Sequence, residues 1–397
     1  MDVDVLDITR RVEFDDRITK YEFHTYQPFS SNSLTNNDEI RIAIQHQDLY
    51  TLPSESLLCL QGSVVVTPAT DTSDVTIVTN GLMFLFDEIR YELNSVEIDR
   101  VRQPGVASTL KGYVTMQKTV HGRYANAGWS ANTTKKFDVV IPLRLILGFC
   151  EDHRKLIINA RQELVLHRAS TDSDALTTNA AAASVVLDHV TWRVPHVNVN
   201  DSVRLQLLKA LDAKKPLSIA FRSWELFSYP SLPRSNKHSW AVKTSTHTEK
   251  PRYVIVALQT DRKNKLATNS SQFDGCGLTT LKVYLNSESY PYDTLKIDYA
   301  GDKFSFLYNM YASFQESYYG VPVGEPLFTA AEFKSTSPIV VVDCSKQNDF
   351  VKNAPIDLRI DFETASNVAD NTAAYCLIVH DKIFEYNALT SEVHKIL

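Results

Sequence analysis

Short apolar runs, each closed by a cluster of Asn, Asp, Ser or Pro, recur from one end of this 397-residue chain to the other. In Glu39-Ile40-Arg41-Ile42-Ala43-Ile44 and in Arg90-Tyr91-Glu92-Leu93, apolar and polar side chains alternate with a period of two. Successive side chains on a strand point to opposite faces, so this spacing predicts strands with one dry and one wet face. Strands are expected over 39–44, 63–67, 75–79, 83–93, 136–142, 159–167 and 185–194 in the first half. The second half repeats the texture over 217–227, 253–259, 280–285, 339–342, 356–362 and 375–380. The chain reads as all-β.

Helical signals are few. Asn200-Asp201-Ser202 precedes Val203, Leu205, Leu207, Leu208 and Leu211, an N-cap followed by apolar positions at three- and four-residue spacing. This predicts a helix over 202–214, ended by Pro216. Weaker helical patterns cover 302–316 and 142–150. The helix falls near mid-chain between two strand-rich stretches, so two β domains are expected, 1–197 and 198–397. About 190 residues with dense short strands admits a sandwich or a barrel in each half, and eight strands with long inter-strand loops fit both. The segments 103–134 and 228–251 carry no clear strand pattern and are expected to be elaborated loops at one end of each sandwich.

Composition narrows the class further. With 44% hydrophobic and 22% charged residues, each half can bury a core. Only 12 glycines occur, under half the usual share of roughly 7%, which excludes Gly-rich phosphate loops as an organising device. The net charge of −6 lies wholly in residues 1–200, which hold 19 Lys and Arg against 25 Asp and Glu. No basic tail exists of the kind that grips nucleic acid by counterion release. One stretch, 234–265, has eight Lys and Arg against Glu249 and Asp261, and a set of solvated loops accounts for it better than a nucleic-acid site. The five cysteines, Cys59, Cys150, Cys276, Cys344 and Cys376, are odd in number and widely spaced, so a reducing compartment and buried thiols are expected. Met1-Asp2-Val3-Asp4 is unlike a positive signal-peptide start, and no apolar run reaches the ~20 residues that span a bilayer. The sequons at Asn132 and Asn269 then read as chance matches.

No catalytic, cofactor-binding or metal-ligating residue is expected. GxxxxGK[ST], GxGxxG, HExxH and GxSxG are all absent. Cys150 and His153 form an isolated CxxH without a second pair, better explained as a strand-end thiol and a surface histidine. The acidic pairs Asp15-Asp16, Asp38-Glu39, Asp87-Glu88 and Glu151-Asp152 would point to opposite faces of a strand, which suits caps and turns rather than a general acid–base dyad. No spacing logic joins His380-Asp381 to Asp343-Cys344-Ser345. What remains is aromatic surface: Tyr21, Phe23, Tyr26, Phe29, Tyr290, Tyr292, Tyr318 and Tyr319 suit either core packing or subunit contacts.

Several segments resemble the compact double jelly-roll major capsid proteins of small eukaryotic DNA viruses. The kinship is with the polinton, adintovirus and virophage lineage, including copies integrated in arthropod genomes. The resembling stretches are 36–42, 47–53, Leu85–Asn94, Pro104-Gly105, Pro251–Thr260, 283–286, Tyr290-Pro291-Tyr292 and Tyr375–Asp381, in that order along nearly the entire chain. Relatives are usually longer, so reduced surface towers are expected. The resemblance implies a non-enzymatic shell protein of the virion, made of two tandem jelly rolls with a short helix between them and assembled inside the host cell, in nucleus or cytoplasm. It implies homotrimers of pseudo-hexameric outline that tile an icosahedral capsid, with a single jelly-roll penton protein as partner. Loops 103–134 and 228–250, and the Tyr-rich segments 286–292 and 311–319, are the expected trimer contacts. Genome contact is expected to be weak, through 234–265, or left to other molecules. A carbohydrate-binding or glycan-processing β-sandwich is the alternative, though no calcium-ligand run supports it.

Overall fold

The computed structural model describes residues 17–29, 34–45, 50–68, 70, 73–212, 216–244, 250–321, 324–346 and 356–396. Asp15-Asp16, parts of 47–53 and residues 245–249 therefore lie outside the described residues.

The first half contains β1 (Ile18–Tyr26), β2 (Glu39–Ile44), β3 (Tyr50–Thr51), β4 (Leu57–Thr67), β5 (Val75–Ile77), β6 (Phe86–Leu93), β7 (Val96–Arg102), β8 (Lys136–Pro142), β9 (Ile157–Ile158), β10 (Gln162–Arg168), β11 (Leu176–Thr178) and β12 (Ala182–Val199). The second contains β13 (Leu217–Tyr229), β14 (Lys237–Thr244), β15 (Pro251–Thr260), β16 (Leu278–Leu285), β17 (Glu288–Tyr290), β18 (Val340–Asp343), β19 (Asp357–Thr364), β20 (Thr372–Asn387) and β21 (Glu392–Lys395). Helices are α1 (Pro104–Thr115), α2 (Lys118–Tyr124), α3 (Gly148–Asp152), α4 (Asp201–Asp212), α5 (Ser305–Ala312), α6 (Phe314–Tyr319) and α7 (Ala330–Thr336).

With β3, β5, β9, β11 and β21 set aside as additions to the common pattern, eight strands remain in each half among the described residues. In the first half β1 and β4 flank β12, β8 joins the far side of β4, and the other sheet runs β2-β10-β6-β7. In the second half the sheets run β13-β20-β15-β18 and β14-β19-β16-β17. Numbered one to eight within its own half, each set pairs as 1-8-3-6 and 2-7-4-5. The two halves share one topology.

Period-two patterning places the dry faces. Ile40, Ile42 and Ile44 on β2, and Ile89, Tyr91 and Leu93 on β6, are fully buried. Across the sandwich the Tyr91 ring meets Trp192 of β12 edge-on at 6.1 Å. The wet face of the same sheet carries a ladder of opposite charges, with Arg41 on Glu163 at 3.0 Å and Arg90 on Glu92 at 2.7 Å. In the second half Leu358, Ile360 and Phe362 on β19 do the burying, and Lys237 on β14 pairs with Glu363 at 3.1 Å.

The helix expected over 202–214 is α4, with Asn200 Oδ1 accepting the Val203 N–H at 2.9 Å as its N-cap. None of its residues is buried. The pattern over 302–316 resolves into α5 and α6, and that over 142–150 into a short 3-10 turn, Leu143–Leu145, followed by α3. Two expectations fail. Residues 103–134 are not an open loop: α1 buries every residue from Pro104 to Val114. Segment 228–251 holds a strand, β14, whose buried side carries His238 and Trp240, a pattern with too few apolar residues to read as a strand in sequence. The hairpin between β6 and β7 turns on Asn94 and Ser95, both at positive φ (49° and 66°), as a two-residue turn of matching twist requires.

Candidate assembly surfaces and the seam between the halves

The hydrophobic core runs unbroken from one half into the other. Where the halves meet, it encloses a group of charged side chains drawn from five elements, α1, α3, β7, β13 and β20. Lys111 of α1, 3% exposed, places Nζ 3.1 and 3.0 Å from the two carboxylate oxygens of Glu151 on α3. The same oxygens accept from the hydroxyls of Tyr319 and Tyr318 of α6, each at 2.7 Å. Lys111 Nζ also lies 4.7 Å from the Trp224 ring centre and 4.3 Å from that of Tyr318. Burial pushes the Lys111 pKa below its ordinary value, against the pull of Glu151.

Asp152, the next residue, faces the other way and holds β13. Its Oδ1 meets Arg222 Nη2 at 2.6 Å, and its Oδ2 accepts from both Arg222 Nε and the Arg222 backbone N–H at 2.8 Å. Burial alone would raise the Asp152 pKa, but the Arg222 bonds outweigh it and hold the carboxyl below its ordinary value. A third anion, Asp99 of β7, is fully buried. It accepts from the Phe149 N–H at 3.0 Å and from Ser223 Oγ at 2.6 Å, with Lys382 Nζ 3.7 Å away. Every charge here has an opposite partner and most remaining bonding positions are used, which is the condition for burying ions without heavy loss. A cavity of about 270 Å³ borders Lys111 and Glu151, with Arg144, Arg154 and Glu55 also on its wall.

Glu151-Asp152 is therefore a pair of seam anchors on a helix rather than two sides of a strand. Cys150 is fully buried, and burial pushes its thiol pKa well up. His153 is buried too, not a surface residue. It stacks on Phe149 at 5.3 Å, and burial, then Lys155, lowers its pKa to about 4. Among the described residues no group of three or more His, Cys, Asp or Glu could hold a metal. Asp381 bonds Arg252 at 2.6 Å, whereas Asp343 accepts from Ser317 Oγ at 2.6 Å and the Ser345 N–H at 2.8 Å. These motifs sit on β20 and β18, with β15 between them in the sheet. Both sequon asparagines close local turns, Asn132 onto Thr134 Oγ1 at 2.8 Å and Asn269 onto Ser271 Oγ at 2.6 Å.

The basic stretch 234–265 is not basic in space. Five of its eight cations meet carboxylates: Arg234–Asp370, Lys237–Glu363, Arg252–Asp381, Arg262–Asp274 and Lys265–Asp261, at 2.6–3.1 Å. The aromatic residues divide. Tyr311 and Tyr318 are buried within the subunit, whereas Tyr21, Phe23, Phe29, Tyr292 and Tyr319 are exposed. Because α1 is consumed by the core, residues 104–114 offer nothing to a neighbouring subunit. The seam residues Lys111, Glu151, Asp152, Asp99 and Arg222 carry no local motif. Their hydrogen-bond partners on other elements lie 40 to 168 positions away along the chain.

No curated protein matches the chain in sequence. Its structure is similar to those of virus shell proteins. A chain of the Sputnik virophage matches with a TM-score of 0.66 at 10% identity, over 99% of this chain and 91% of that one. The Faustovirus major capsid protein matches at 0.63 and 9% identity over 96% and 92%, and the mavirus major capsid protein at 0.56 and 11% over 98% and 92%. Among the described residues no helix is long and apolar enough to cross a membrane. Residues 75–384 match the model of the double jelly roll-like domain, spanning the charged seam and reaching into both halves, and the chain belongs to that family.

Proposed function

We propose that this chain is a major capsid protein whose homotrimers, pseudo-hexameric in outline, tile an icosahedral virion shell. One observation carries the reading. Two halves of identical strand order are joined across their seam by the ion pairs Asp152–Arg222 and Asp99–Lys382, and the whole matches viral shell proteins end to end in both directions. Two equivalent units per chain make six equivalent positions in a trimer, the outline that packs on a hexagonal net. The units are residues 1–197 and 198–397. The work of such a protein is assembly, with no chemical step. A single jelly-roll penton protein closes the vertices, and assembly takes place inside the host cell. Because most cations of 234–265 are already paired, neutralising the genome falls mainly to other molecules.

Solution mass by light scattering tests this directly, together with electron microscopy of the expressed protein. The expected species is three times the 44.8 kDa chain mass, giving way to particles as concentration rises. A chain that stays monomeric across concentration and salt and never forms particles overturns the reading. Specific glycan binding or hydrolysis by that monomer would replace it with the carbohydrate alternative.

A further inference from the structure

The cavity of about 270 Å³ beside Lys111 and Glu151 is walled by α1, α2, α3 and the 3-10 turns Pro53–Glu55 and Leu143–Leu145, with Tyr319 of α6 added from the second half. Its donors and acceptors do not balance. Glu151 has nothing left to offer: its two oxygens take Lys111 Nζ at 3.1 and 3.0 Å and the Tyr319 and Tyr318 hydroxyls at 2.7 Å. A carboxylate has about four lone-pair sites, and four contacts use them.

The donors are not used up. Arg144, half-buried, makes no hydrogen bond or ion pair among the described residues. Arg154 spends only its Nε, in a long bond of 3.4 Å to the Glu151 carbonyl oxygen. Ser54 is 5% exposed and lines the same cavity, and its hydroxyl has no partner among the described residues. Buried hydroxyls are normally bonded. Once Lys111 and Glu151 cancel, two guanidiniums remain against one carboxylate, Glu55, which stands in water.

We propose that this cavity binds a small organic phosphate monoester, its dianionic head held by Arg144, Arg154 and Ser54 and its body lodged against Val120, Leu145 and Met116. A guanidinium takes two phosphate oxygens with its paired N–H groups, and two guanidiniums match a dianion. The Ser54 hydroxyl supplies a further donor from the buried side. Val120, Leu145 and Met116 give the wall its apolar part, and a few charged groups set in such a wall are the usual make-up of a small-ligand site. Ligand pockets commonly run from about 300 Å³ upward, so the volume here admits a body of one ring beside the head. An amine is a poor fit, because the enclosed acid, Glu151, is already saturated. With Tyr319 on the wall, a bound ligand touches both halves and should strengthen the seam.

Titration calorimetry on the full chain with phenyl phosphate tests the proposal, with inorganic phosphate and benzylamine as comparisons. Phenyl phosphate should bind once per chain, about fivefold or more tighter than inorganic phosphate, because only the ester uses the apolar wall. Arg144→Gln should weaken it about tenfold or more, the worth of a hydrogen bond to a charged group, and Arg154→Gln by a smaller factor. Both variants should keep the wild-type far-UV spectrum. Glu55→Gln should tighten binding about twofold, since a like charge is removed. Phenyl phosphate should also raise the wild-type denaturation midpoint, as any ligand of the folded state does. Equal binding by wild type and both arginine variants overturns the proposal, because the anion then sits elsewhere. So does tighter binding of benzylamine, equal affinity for inorganic phosphate, or neither heat nor a midpoint shift at about 10 mM phenyl phosphate. None of these outcomes bears on the capsid reading, which stands or falls on assembly.

Discussion

The 1-8-3-6 sheets of the two halves have the same pairing and opposite relations to water. In the first half β4 and β12 alternate between buried and exposed positions, with Val65 at 43% and Val186 at 45% exposure. In the second, β15 is buried from Tyr253 to Gln259 and β20 from Thr372 to His380. The difference comes from what lies between the fifth and sixth strands. There the second half inserts α5 and α6, whose Phe314 and Tyr318 lie 5.0 and 5.7 Å from Tyr253. The first half's insertion, α1, leans the same way: Tyr113 donates to the Ser271 carbonyl at 2.8 Å and packs on Phe273, which in turn touches Tyr375 of β20. Both insertions roof one sheet. Topology sets which strands pair, and the insertions decide which sheet is dry on both sides.

The comparison breaks most visibly at the seam. Lys111→Met removes the cation from a site where Glu151 is nearly enclosed, and losing one partner of a buried pair costs about 3–5 kcal/mol. Chemical denaturation should show that loss. Lys111→Met/Glu151→Leu should recover part of it, because no lone charge is left behind. If the single variant is as stable as wild type, the Lys111–Glu151 pair adds nothing to the stability of the region bordering the seam.

Next in size is the roof itself. Ile255 is fully buried and shares a face of β15 with Tyr253, two residues earlier, so it points toward the helices. Ile255→Ala should destabilise by about 2–5 kcal/mol, measured as a lowered denaturation midpoint with an unchanged slope. A cost below about 1 kcal/mol would mean that the helices rest on the sheet without packing into it.

How much of this was readable follows from where each signal lies. Continuous apolar runs such as Tyr253–Leu258 and Tyr375–Val379 announced strands because burial on both faces needs no alternation. The helix α1 was invisible for the same physical reason: buried all round, it has no polar stripe to set a 3.6-residue period, and only Pro104 in its first turn marked a helix start. The capping box Thr329–Glu332 of α7 was readable, with both reciprocal bonds formed, yet it stood alone in a loop-like stretch. Strand β1 hid in plain sight: Lys20-Tyr21-Glu22-Phe23-His24 alternates, but neither side is buried in the subunit. The seam charges were unreadable because only the folded topology brings them together.

A smaller effect follows from pH. Burial depresses the His153 pKa to about 4 from the usual 6.5, so the unfolded chain binds this proton more readily than the folded one. Stability from this residue is therefore complete above pH 6.5 and lost as pH falls toward 4, up to about 3 kcal/mol. Asp152, held below its ordinary value, adds a loss at more acid pH that begins near the usual carboxylate value and is complete only below it. His153→Phe keeps a ring on Phe149 and removes the titration, so the stability curve should flatten between pH 6.5 and 4. An unchanged acid limb would assign that loss to other groups.

The smallest expected effect sharpens the comparison most, because it tests a side chain that is equally apolar but unroofed. Val65 stands on β4, the counterpart of β15, and points to the open side of the first sheet at 43% exposure. Truncation there removes little area from contact and leaves no cavity, since water already fills the space beside it. Val65→Ala should therefore change stability by no more than about 0.5 kcal/mol in the isolated subunit, against the several expected for Ile255→Ala. The same variant measured within the assembly separates two explanations of the bare face. If Val65 remains solvent-exposed there, the small effect persists and the face is part of the shell's outer or inner surface. If the cost rises by 1 kcal/mol or more, roughly the transfer free energy of the deleted methyl groups, a neighbouring copy supplies in trans the roof that α1, α5 and α6 supply to the second sheet in cis.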